Sequence, residues 1–254
     1  MSNKILSKIR KLNWVLTEST TGSFSYDQLS KILSEVINAN VYIIDVNGNV
    51  LGTGYINAED TSTMVDEKGD EKIPQYHNEN FLMLREPLTN LKGNQTLKVL
   101  GPNYTMTDKY HCIIPTHCGG QRQGTLIVTR YNPRFSEEDI ALCEYGSAVV
   151  GLEIQRNNRL IEEEETRQTQ AINMALSSLS FSERDAVCKI LREFDGDEEL
   201  IVTSKIAEKY GITNSVMVNA LRKLESAGVL SSRSLGMKGT RIQITNPLFR
   251  NLLG

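Results

Sequence analysis

The sequence predicts an α+β protein made of two domains joined by a helix. Three observations lead to this prediction. First, two amphipathic segments open the chain. Second, two patterns follow in which glycines separate a pair of apolar runs, as in a β-hairpin. Third, a long helical segment without an apolar face precedes a basic C-terminal part. At 254 residues the chain also exceeds one average domain, so two compact units are expected.

Composition narrows the protein class. Hydrophobic residues make up 39% and charged residues 23% of the chain, and no run approaches the roughly 18 apolar residues of a membrane span. The N-terminal MSNKILSKIRKLNWVL is basic and amphipathic, unlike a secretory signal. The four cysteines lack CxxC spacing, which is typical of reduced thiols. We therefore expect a cytoplasmic protein with no membrane partner.

The N-terminal part is predicted to place helices at both ends of an antiparallel sheet. Leucine and isoleucine recur at helical spacing in residues 3–18 and 26–38. NVYIIDVNGNVLGTGYI follows, in which an Asn-Gly pair separates two apolar runs and predicts a hairpin. KYHCIIPTHCGGQRQGTLIVTRY predicts a second hairpin. The polar stretch 57–108 between them has no clear periodicity and is typical of a ligand-covering or mobile region.

A long helix should connect this body to the C-terminal part. Ser136 with Asp139 predicts its N-cap, and the segment RNNRLIEEEETRQTQ loses the apolar face, which predicts an exposed connector to about residue 178. The next helix is predicted to be capped by Ser182. The expected division is a domain at residues 1–155, a helical connector at 156–178 and a second domain at 179–254.

Charge is distributed unevenly along the chain. Residues 203–254 contain eight basic and two acidic residues, a net of +6, whereas the remainder carries −9. A basic module on an acidic body is expected when one domain binds phosphate groups and the other does not. On charge alone, a basic face that serves only solubility is an equal alternative.

Residues 203–222 satisfy the requirements of a helix-turn-helix. Small Ala207 stands where two helices would cross, and Gly211 stands at the turn, where a positive φ is least costly for glycine. Thr213 is placed to cap the second helix. The inward face of that helix repeats at helical spacing through Met217, Ala220, Leu221 and Leu224.

The outward face of the second helix carries residue types that read DNA. Asn can contact adenine, Val can pack on a thymine methyl, and Arg and Lys can neutralise phosphates. An ordinary amphipathic helix with a solvated face is the alternative, and it does not explain these residues near the N-terminal end of the helix. The outward residues are Asn214, Ser215, Val218, Asn219, Arg222 and Lys223.

A basic hairpin should follow the helix-turn-helix. GVLSSRSLGMKGTRIQIT reads as a strand, a glycine-rich turn and a strand, with Arg233, Lys238 and Arg241 on or near it. This order predicts a winged helix that binds DNA, in preference to a protein-interaction module. The residues predicted to contact DNA are Thr213, Asn214, Ser215, Val218, Asn219, Arg222, Lys223, Arg233 and Lys238.

The segment SKIAEKYGITNSVMVNALRKLESAGVLSSRSLGMKGT closely resembles the winged helix of the CodY family, nutrient-sensing global repressors of low-GC Gram-positive bacteria. The resemblance extends upstream through ALSSLSFSE, CEYGSAVVGLEI and GTLIVTR. It implies a GAF sensor domain that senses branched-chain amino acids (isoleucine, leucine or valine), with GTP as a second effector. It also implies homodimers that bind near-palindromic operators in double-stranded DNA and repress nutrient-limitation genes.

Several positions depart from the family pattern. Asn214 stands where the family has a positively charged side chain, and the loop INAEDTSTMVDEKGDE lacks the arginine that grips the ligand carboxylate in the family. Thr96 and Leu100 match pocket positions, and Lys98 stands where an aromatic residue is expected. A buried carboxylate needs a cationic or multiple-donor partner. We hypothesise that Lys98 or Arg85 supplies it.

The turn proposed to contact the nucleotide also differs. The family has a basic SRRGK-like turn, whereas this chain has DVNGN at residues 45–49, which argues against a GTP response, although Glu153 is retained. The alternative to a nutrient-responsive repressor is a DNA-binding regulator whose GAF-like domain senses another ligand or only dimerises.

Enzyme and metal functions are not predicted. GxxxxGK[ST], GxSxG and HExxH motifs do not occur in the sequence. His111, Cys112, His117 and Cys118 are metal-ligating types, but six residues of strand span about 20 Å, so the two histidines cannot chelate together unless Pro115 breaks the strand. His77 is predicted to be a solvated loop residue. No catalytic residue, metal or resident cofactor is expected.

Overall fold

A computed structural model describes residues 2–18, 24–57, 64–65, 71–102, 104–105, 107–194 and 196–249. The chain divides into two compact units, Met1–Asn158 and Arg159–Gly254. In the described part of the chain, no helix is both long and apolar enough to cross a membrane.

The first unit contains a five-stranded antiparallel sheet with the strand order β2-β1-β7-β6-β5. The elements in chain order are α1 (Ser2–Glu18), α2 (Tyr26–Ile37), β1 (Asn40–Asp45), β2 (Val50–Gly54), β3 (Met64–Val65), β4 (Glu71–Lys72), α3 (Gln75–Leu82), β5 (Leu88–Leu91), α4 (Asn94–Leu100), β6 (Tyr110–Cys118), β7 (Gln121–Arg130) and α5 (Glu137–Ser178). Both predicted hairpins are confirmed, as β1-β2 and β6-β7.

The polar stretch between the hairpins is more ordered than its sequence indicates. It contains α3, β5 and α4, and β5 pairs with β6 at the edge of the sheet. These elements are only 8, 4 and 7 residues long, so none of them repeats an apolar pattern often enough to be recognised. The stretch therefore contains regular structure that its lack of a clear periodicity did not predict.

The sheet is covered on both faces, which explains the continuous apolar runs in its strands. Side chains alternate along β1: Val41 and Ile43 join the core formed with α1, α2 and α5, whereas Tyr42 and Ile44 face the opposite way. The core on that opposite face, towards α3 and α4, consists of Tyr42, Ile44, Ile73, Phe81, Leu100, Ile113 and Ile127.

Helix α2 packs directly on the backbone of β2. A Cβ atom added at Gly54 would lie 2.1 Å from the carbonyl oxygen of Ser30, and one added at Gly52 would lie 2.5 Å from the backbone of Tyr26. Glycine at these two positions therefore permits a helix-to-strand distance that any side chain would prevent.

Helix α5 is continuous over 42 residues and passes from the first unit into the second. Its predicted N-cap is confirmed, because the amide of Asp139 donates to Ser136 Oγ and the amide of Ser136 donates to the Asp139 carboxylate. The predicted connector is exposed only in part: residues 156–163 are all open to solvent, whereas Ile172, Ala175 and Leu176 near its end are buried in the core of the second unit.

The second unit packs helices against a three-stranded antiparallel sheet of order β8-β10-β9. Its core joins the C-terminal part of α5 to side chains from every later helix and strand. After α5 the elements are α6 (Phe181–Leu191), β8 (Glu198–Ile201), α7 (Thr203–Tyr210), α8 (Asn214–Ser226), β9 (Leu230–Ser234) and β10 (Thr240–Ile244).

Helix α6 begins at a different cap from the one predicted. Ser180, not Ser182, is the N-cap: its hydroxyl accepts the amide of Glu183, and the Glu183 carboxylate accepts the amide of Ser180. The reason is local, since only Ser180 has a glutamate three residues later to complete the reciprocal pair.

Candidate nucleic-acid interface and sensor cavity

The predicted helix-turn-helix is formed by α7 and α8. Gly211 ends α7 with a φ of 65°, and the amide of Ile212 donates to the carbonyl of Ala207 at 2.9 Å, which closes the turn. Thr213 occupies the N-cap position of α8, but its side chain accepts no backbone amide. Its hydroxyl oxygen instead lies 3.3 Å from the Ser215 hydroxyl, which donates to it.

The two faces of α8 separate as the periodicity predicts. Its inward residues are buried in the core of the second unit, and they include Met217 and Leu224, which are fully covered. On the outward face Asn214, Ser215, Asn219 and Arg222 are exposed, and Val218 is partly exposed.

A groove of about 540 Å³ runs between α8 and the hairpin β9-β10. Asn214, Val218 and Arg222 form one row of α8 at intervals of four residues, and this row lines the groove. The other side of the groove is formed by wing residues and the start of α7, namely Thr203, Ser204, Ser232, Ser234, Gly236, Gly239 and Thr240. Ser215 and Asn219 lie on the neighbouring row of the same helix and are not part of the groove lining.

The hairpin is fixed to α8 by a carboxylate. Glu225 accepts both the amide and the hydroxyl of Ser232, each at 2.9 Å. The hairpin turn uses two glycines in the left-handed region, Gly236 and Gly239. Arg233 and Lys238 are exposed on this hairpin but are not part of the groove lining, so the wing is basic outside the groove itself.

Lys223 lies next to Arg222 in sequence but has a different environment. Its Nζ donates to Glu183 Oε2 at 2.7 Å and to the carbonyl of Ser178 at 2.9 Å. The hydrogen bond from Lys223, together with the Ser180 amide, lowers the pKa of Glu183. The sequence prediction grouped Lys223 with the outward face, whereas the structure directs it towards the start of α6.

Other cations of the C-terminal part also face carboxylates. Lys209 pairs with Glu193 at 2.7 Å, and Arg241 pairs with Glu198 at 2.9 Å. Within the described ranges no ion pair involves Arg222, Arg233 or Lys238. These three side chains are therefore exposed cations without an ion pair, and of the three Arg222 is the one that lines the groove.

The first unit contains a small cavity between its sheet and α3-α4. Its volume is about 30 Å³, room for about one water molecule. The lining is apolar apart from two histidines, two tyrosines and a threonine: Tyr42, Ile73, His77, Phe81, Leu100, Tyr104, His111, Ile113, Ile127 and Thr129.

His111 is the most buried polar group of this lining. The Tyr104 hydroxyl lies 2.8 Å from Nε2 and the Lys109 carbonyl lies 3.1 Å from Nδ1. Burial lowers the pKa of His111 to about 4, so the ring is neutral at pH 7. The expectation for His77 was wrong: it lies in α3 and lines the cavity, and burial lowers its pKa as well.

Comparison with known proteins assigns both units. The family model of the CodY GAF-like domain matches residues 4–178, and the family model of the CodY helix-turn-helix domain matches residues 197–253. The chain belongs to the CodY family. Proteins named global transcriptional regulator CodY are 43% identical over 242 residues in Caldanaerobacter subterraneus subsp. tengcongensis (95% of this chain, 94% of that one) and 43% identical over 245 residues in Clostridium kluyveri (95% of each).

A solved structure supports the sensor assignment. The cofactor-binding GAF domain of the nutrient sensor CodY from Clostridium difficile is 35% identical, with a TM-score of 0.50, and covers 61% of this chain and 99% of its own. This protein is thus a CodY-family transcriptional regulator with an N-terminal GAF domain and a C-terminal helix-turn-helix DNA-binding domain.

The candidate effector-binding residues of α4 and of the connection after α3 occupy different environments. The two that match the CodY pattern point inward: Leu100 lines the cavity, and Thr96 is fully buried with a hydroxyl that has no hydrogen-bond partner among the described residues. Lys98 and Arg85 are exposed and do not line the cavity. Because Thr96 and Leu100 point inward on α4, the residue midway between them points outward. Arg85 lies exposed in the connection between α3 and β5. The structure therefore gives no support to a carboxylate partner from either side chain.

The turn at residues 45–49 closes on itself. Asp45 Oδ1 accepts the amides of Asn47 and Asn49, each at 2.8 Å, and Oδ2 accepts the Asn49 side-chain amide at 2.7 Å. The Asp45 carboxylate thus accepts hydrogen bonds from the amides of its own turn. This is the turn where the family pattern has cations. Glu153 lies near Arg156 at 3.8 Å and, after burial, is the second cause that raises the pKa of Tyr26 to about 12.

Sequence reasoning missed most of the cavity. Alternation along the strands would have identified Tyr42, Ile113 and Ile127, because each stands on the face opposite to the α1-α2 core. Phe81, His77 and Tyr104 lie in the polar stretch 57–108, whose sequence has no clear periodicity and contains no local signal for them.

Proposed function

We propose that this CodY-family protein is a homodimeric, sequence-specific repressor of nutrient-limitation genes, and that a small effector bound in its GAF domain changes its affinity for DNA. The observation that carries the proposal is the row Asn214, Val218 and Arg222, which faces the groove beside a basic wing. The proposed domains are an effector-sensing and dimerisation domain at 1–155, a connector at 156–178 and a DNA-binding domain at 179–254.

Helix α8 is proposed to enter the major groove of near-palindromic operators. Asn214 and Asn219 would contact base edges, and Val218 would pack on a thymine methyl. Arg222, with Ser215 and Thr213 near the helix N-terminus, would contact phosphate oxygens or adjacent bases. Arg233 and Lys238 on the wing would contact the flanking backbone. Because its ammonium is already bound to Glu183, Lys223 is left out of the direct contacts.

The cavity beside α3 and α4 is the proposed effector site. Its leucine, isoleucines and phenylalanine suit an aliphatic side chain, so isoleucine, leucine and valine are the first candidates, as the family relationship suggests. A volume of about 30 Å³ cannot hold such a ligand, so α3 and α4 would have to move away from the sheet. Ligand binding would then favour one arrangement of the domain over another.

The polar end of the effector has specific requirements. In the described lining no cationic side chain faces the cavity, so His77 and Thr129 would be the donors to a carboxylate, because the Tyr104 hydroxyl already donates to His111. GTP is the weaker candidate as a second effector, since the turn at Asp45 is acidic and already satisfied by its own amides. The second candidate function follows from these observations: a regulator whose GAF domain binds another ligand or serves only dimerisation.

A titration separates the two candidate functions. The full-length protein would be bound to a labelled duplex selected from a random-sequence pool, and fluorescence anisotropy would be measured with and without isoleucine and with and without GTP. The proposal predicts an isoleucine-dependent change in the dissociation constant. Leu100→Trp, which fills the cavity, should remove this response, whereas Leu82→Trp on the exposed end of α3 should retain it. Unchanged affinity in all ligand conditions would favour the second candidate function.

Localisation, the lack of enzymatic activity and the homodimer complete the proposal. The protein is proposed to act in the cytoplasm, where its DNA partner lies, and to have no enzymatic activity of its own. Sedimentation of the full-length protein, with and without duplex, would measure the proposed homodimer directly.

A further inference from the structure

We propose that Lys223 is a positioning residue that ties the recognition helix α8 to the junction of α5 and α6 and does not contact DNA. This inference rests on the DNA-binding function proposed above. It reassigns a cation that lies on the same helix as the groove-lining residues and immediately follows one of them.

The ammonium of Lys223 connects two helix ends at once. Ser178 is the last residue of α5, and its carbonyl is one of those that a helix leaves without an internal partner. Lys223 donates to this carbonyl at 2.9 Å, where the helix dipole also favours a cation. The same ammonium donates to Glu183 at 2.7 Å.

Glu183 completes the junction. Its Oε2 accepts the Lys223 ammonium and also accepts the amide of Ser180, the N-cap of α6, at 2.7 Å. The Glu183 side chain is only 10% exposed, whereas the Lys223 side chain is 41% exposed, so the acceptor is largely covered and the lysine reaches it from the surface. One lysine of α8 thus contacts the last residue of α5 and the capping pair of α6.

This geometry makes the position of α8 depend on the α5-α6 junction. A change in the direction or rotation of the last turn of α5 must either break the Lys223 contacts or carry the end of α8 with it. The apolar residues of α8 hold it against the core through contacts that are not directional, whereas two hydrogen bonds from one ammonium are directional. Lys223 therefore sets the orientation in which the groove-lining row is presented.

The alternative role, a phosphate contact, gives a different salt dependence. Each phosphate neutralised by a cation contributes about 0.9 to the slope of log K against log salt concentration. A positioning residue changes the affinity without changing this slope. Arg222, which lines the groove beside Lys223, is the matched control for a cation in contact with DNA.

The test uses the full-length protein and a duplex selected from a random-sequence pool with the wild-type protein. Lys223→Gln and Glu183→Gln should each weaken binding by about threefold to tenfold, and the double variant should be no weaker than either single variant. Their salt slopes should equal that of the wild type. Lys223→Arg should bind like the wild type, because guanidinium can donate to both acceptors. Arg222→Gln should reduce the magnitude of the salt slope by about 0.9.

Several outcomes would overturn the proposal. If Lys223→Gln reduced the magnitude of the salt slope as much as Arg222→Gln does, Lys223 would be a phosphate contact. The proposal would also fail if Glu183→Gln bound the duplex as tightly as the wild type or more tightly. Additive losses in the double variant, or losses explained by a reduced folded fraction in circular dichroism, would also refute it. If the wild-type protein selected no duplex at all, the proposed function would fail and the positioning role with it.

Discussion

The hydroxyl of Tyr104 and Nε2 of His111 lie 2.8 Å apart in the cavity of the GAF domain, and the imidazole is 1% exposed. Nδ1 of the same ring lies 3.1 Å from the Lys109 carbonyl, so both ring nitrogens are engaged. Nδ1 can only donate to a carbonyl, so Nε2 accepts from the tyrosine in the neutral ring. Protonation of Nε2 would remove that acceptor.

The buried imidazole predicts a loss of stability in mild acid. Burial lowers the pKa of His111 to about 4, whereas an unfolded histidine titrates near 6.5. Between these values the unfolded chain binds more protons than the folded chain. The contribution of the neutral His111 ring to the free energy of unfolding is therefore fully present above about pH 6.5. As the pH falls towards 4, roughly 3 kcal/mol of this free energy is lost.

Urea unfolding at pH 7.5, 5.5 and 4.5 would measure this loss. His111→Gln should make the free energy of unfolding less dependent on pH over this range, because glutamine does not titrate. Tyr104→Phe keeps the imidazole and should therefore keep the pH dependence. An equally steep dependence in His111→Gln would assign the loss to other groups.

The contact between α2 and β2 predicts a large effect of one methyl group. In Gly54→Ala the new Cβ would lie 2.1 Å from the Ser30 carbonyl oxygen, so the helix and strand must separate. Such overpacking typically costs about 1–3 kcal/mol. Gly196→Ala is the control, since a Cβ there meets no atom within 4 Å. Thermal unfolding should show a lowered transition for Gly54→Ala alone, and equal transitions would refute the close approach.

The wing predicts a contrast between its two left-handed glycines. Gly236 has a φ of 64° and space for a Cβ, so Gly236→Ala should cost only the backbone strain, about 1 kcal/mol. Gly239 has a φ of 113°, and its Cβ would lie 2.5 Å from the Ile201 carbonyl oxygen. Gly239→Ala should therefore displace the turn and weaken DNA binding more than Gly236→Ala. Anisotropy titrations of both variants would test this order, and the reverse order would contradict it.

Asn219 is predicted to contribute sequence preference. It is exposed on the row of α8 beside the groove-lining row, in a position to contact a base edge. Asn219→Ala should cost about 1–3 kcal/mol on the preferred duplex and little on an unrelated one, with an unchanged salt slope. Binding to a panel of duplexes that each differ by one base pair would identify the position at which preference is lost. Equal losses on all duplexes would indicate a structural effect instead.

Local patterns in the sequence predicted the parts of the fold that depend on neighbours in the chain. The Asn-Gly hairpin, the turn at Gly211 and the cap at Ser136 each involve residues a few positions apart, and all three are confirmed. Contacts between distant residues were not predictable in this way. The partner of Lys223 lies forty residues earlier, and the cavity combines strands with short elements of the polar stretch. The family resemblance supplied the domain types but not these contacts.

The paired cations of the C-terminal part have a consequence for how the protein meets DNA. Residues 159–254 contain thirteen basic and thirteen acidic residues, so this unit is formally neutral at pH 7. Lys209, Lys223 and Arg241 each face a glutamate. Beyond about 10 Å at 0.1 M salt such a unit exerts little attraction on a phosphate backbone. Collisions should therefore be steered weakly, and the rate of association should depend chiefly on the few collisions in which α8 already faces the duplex.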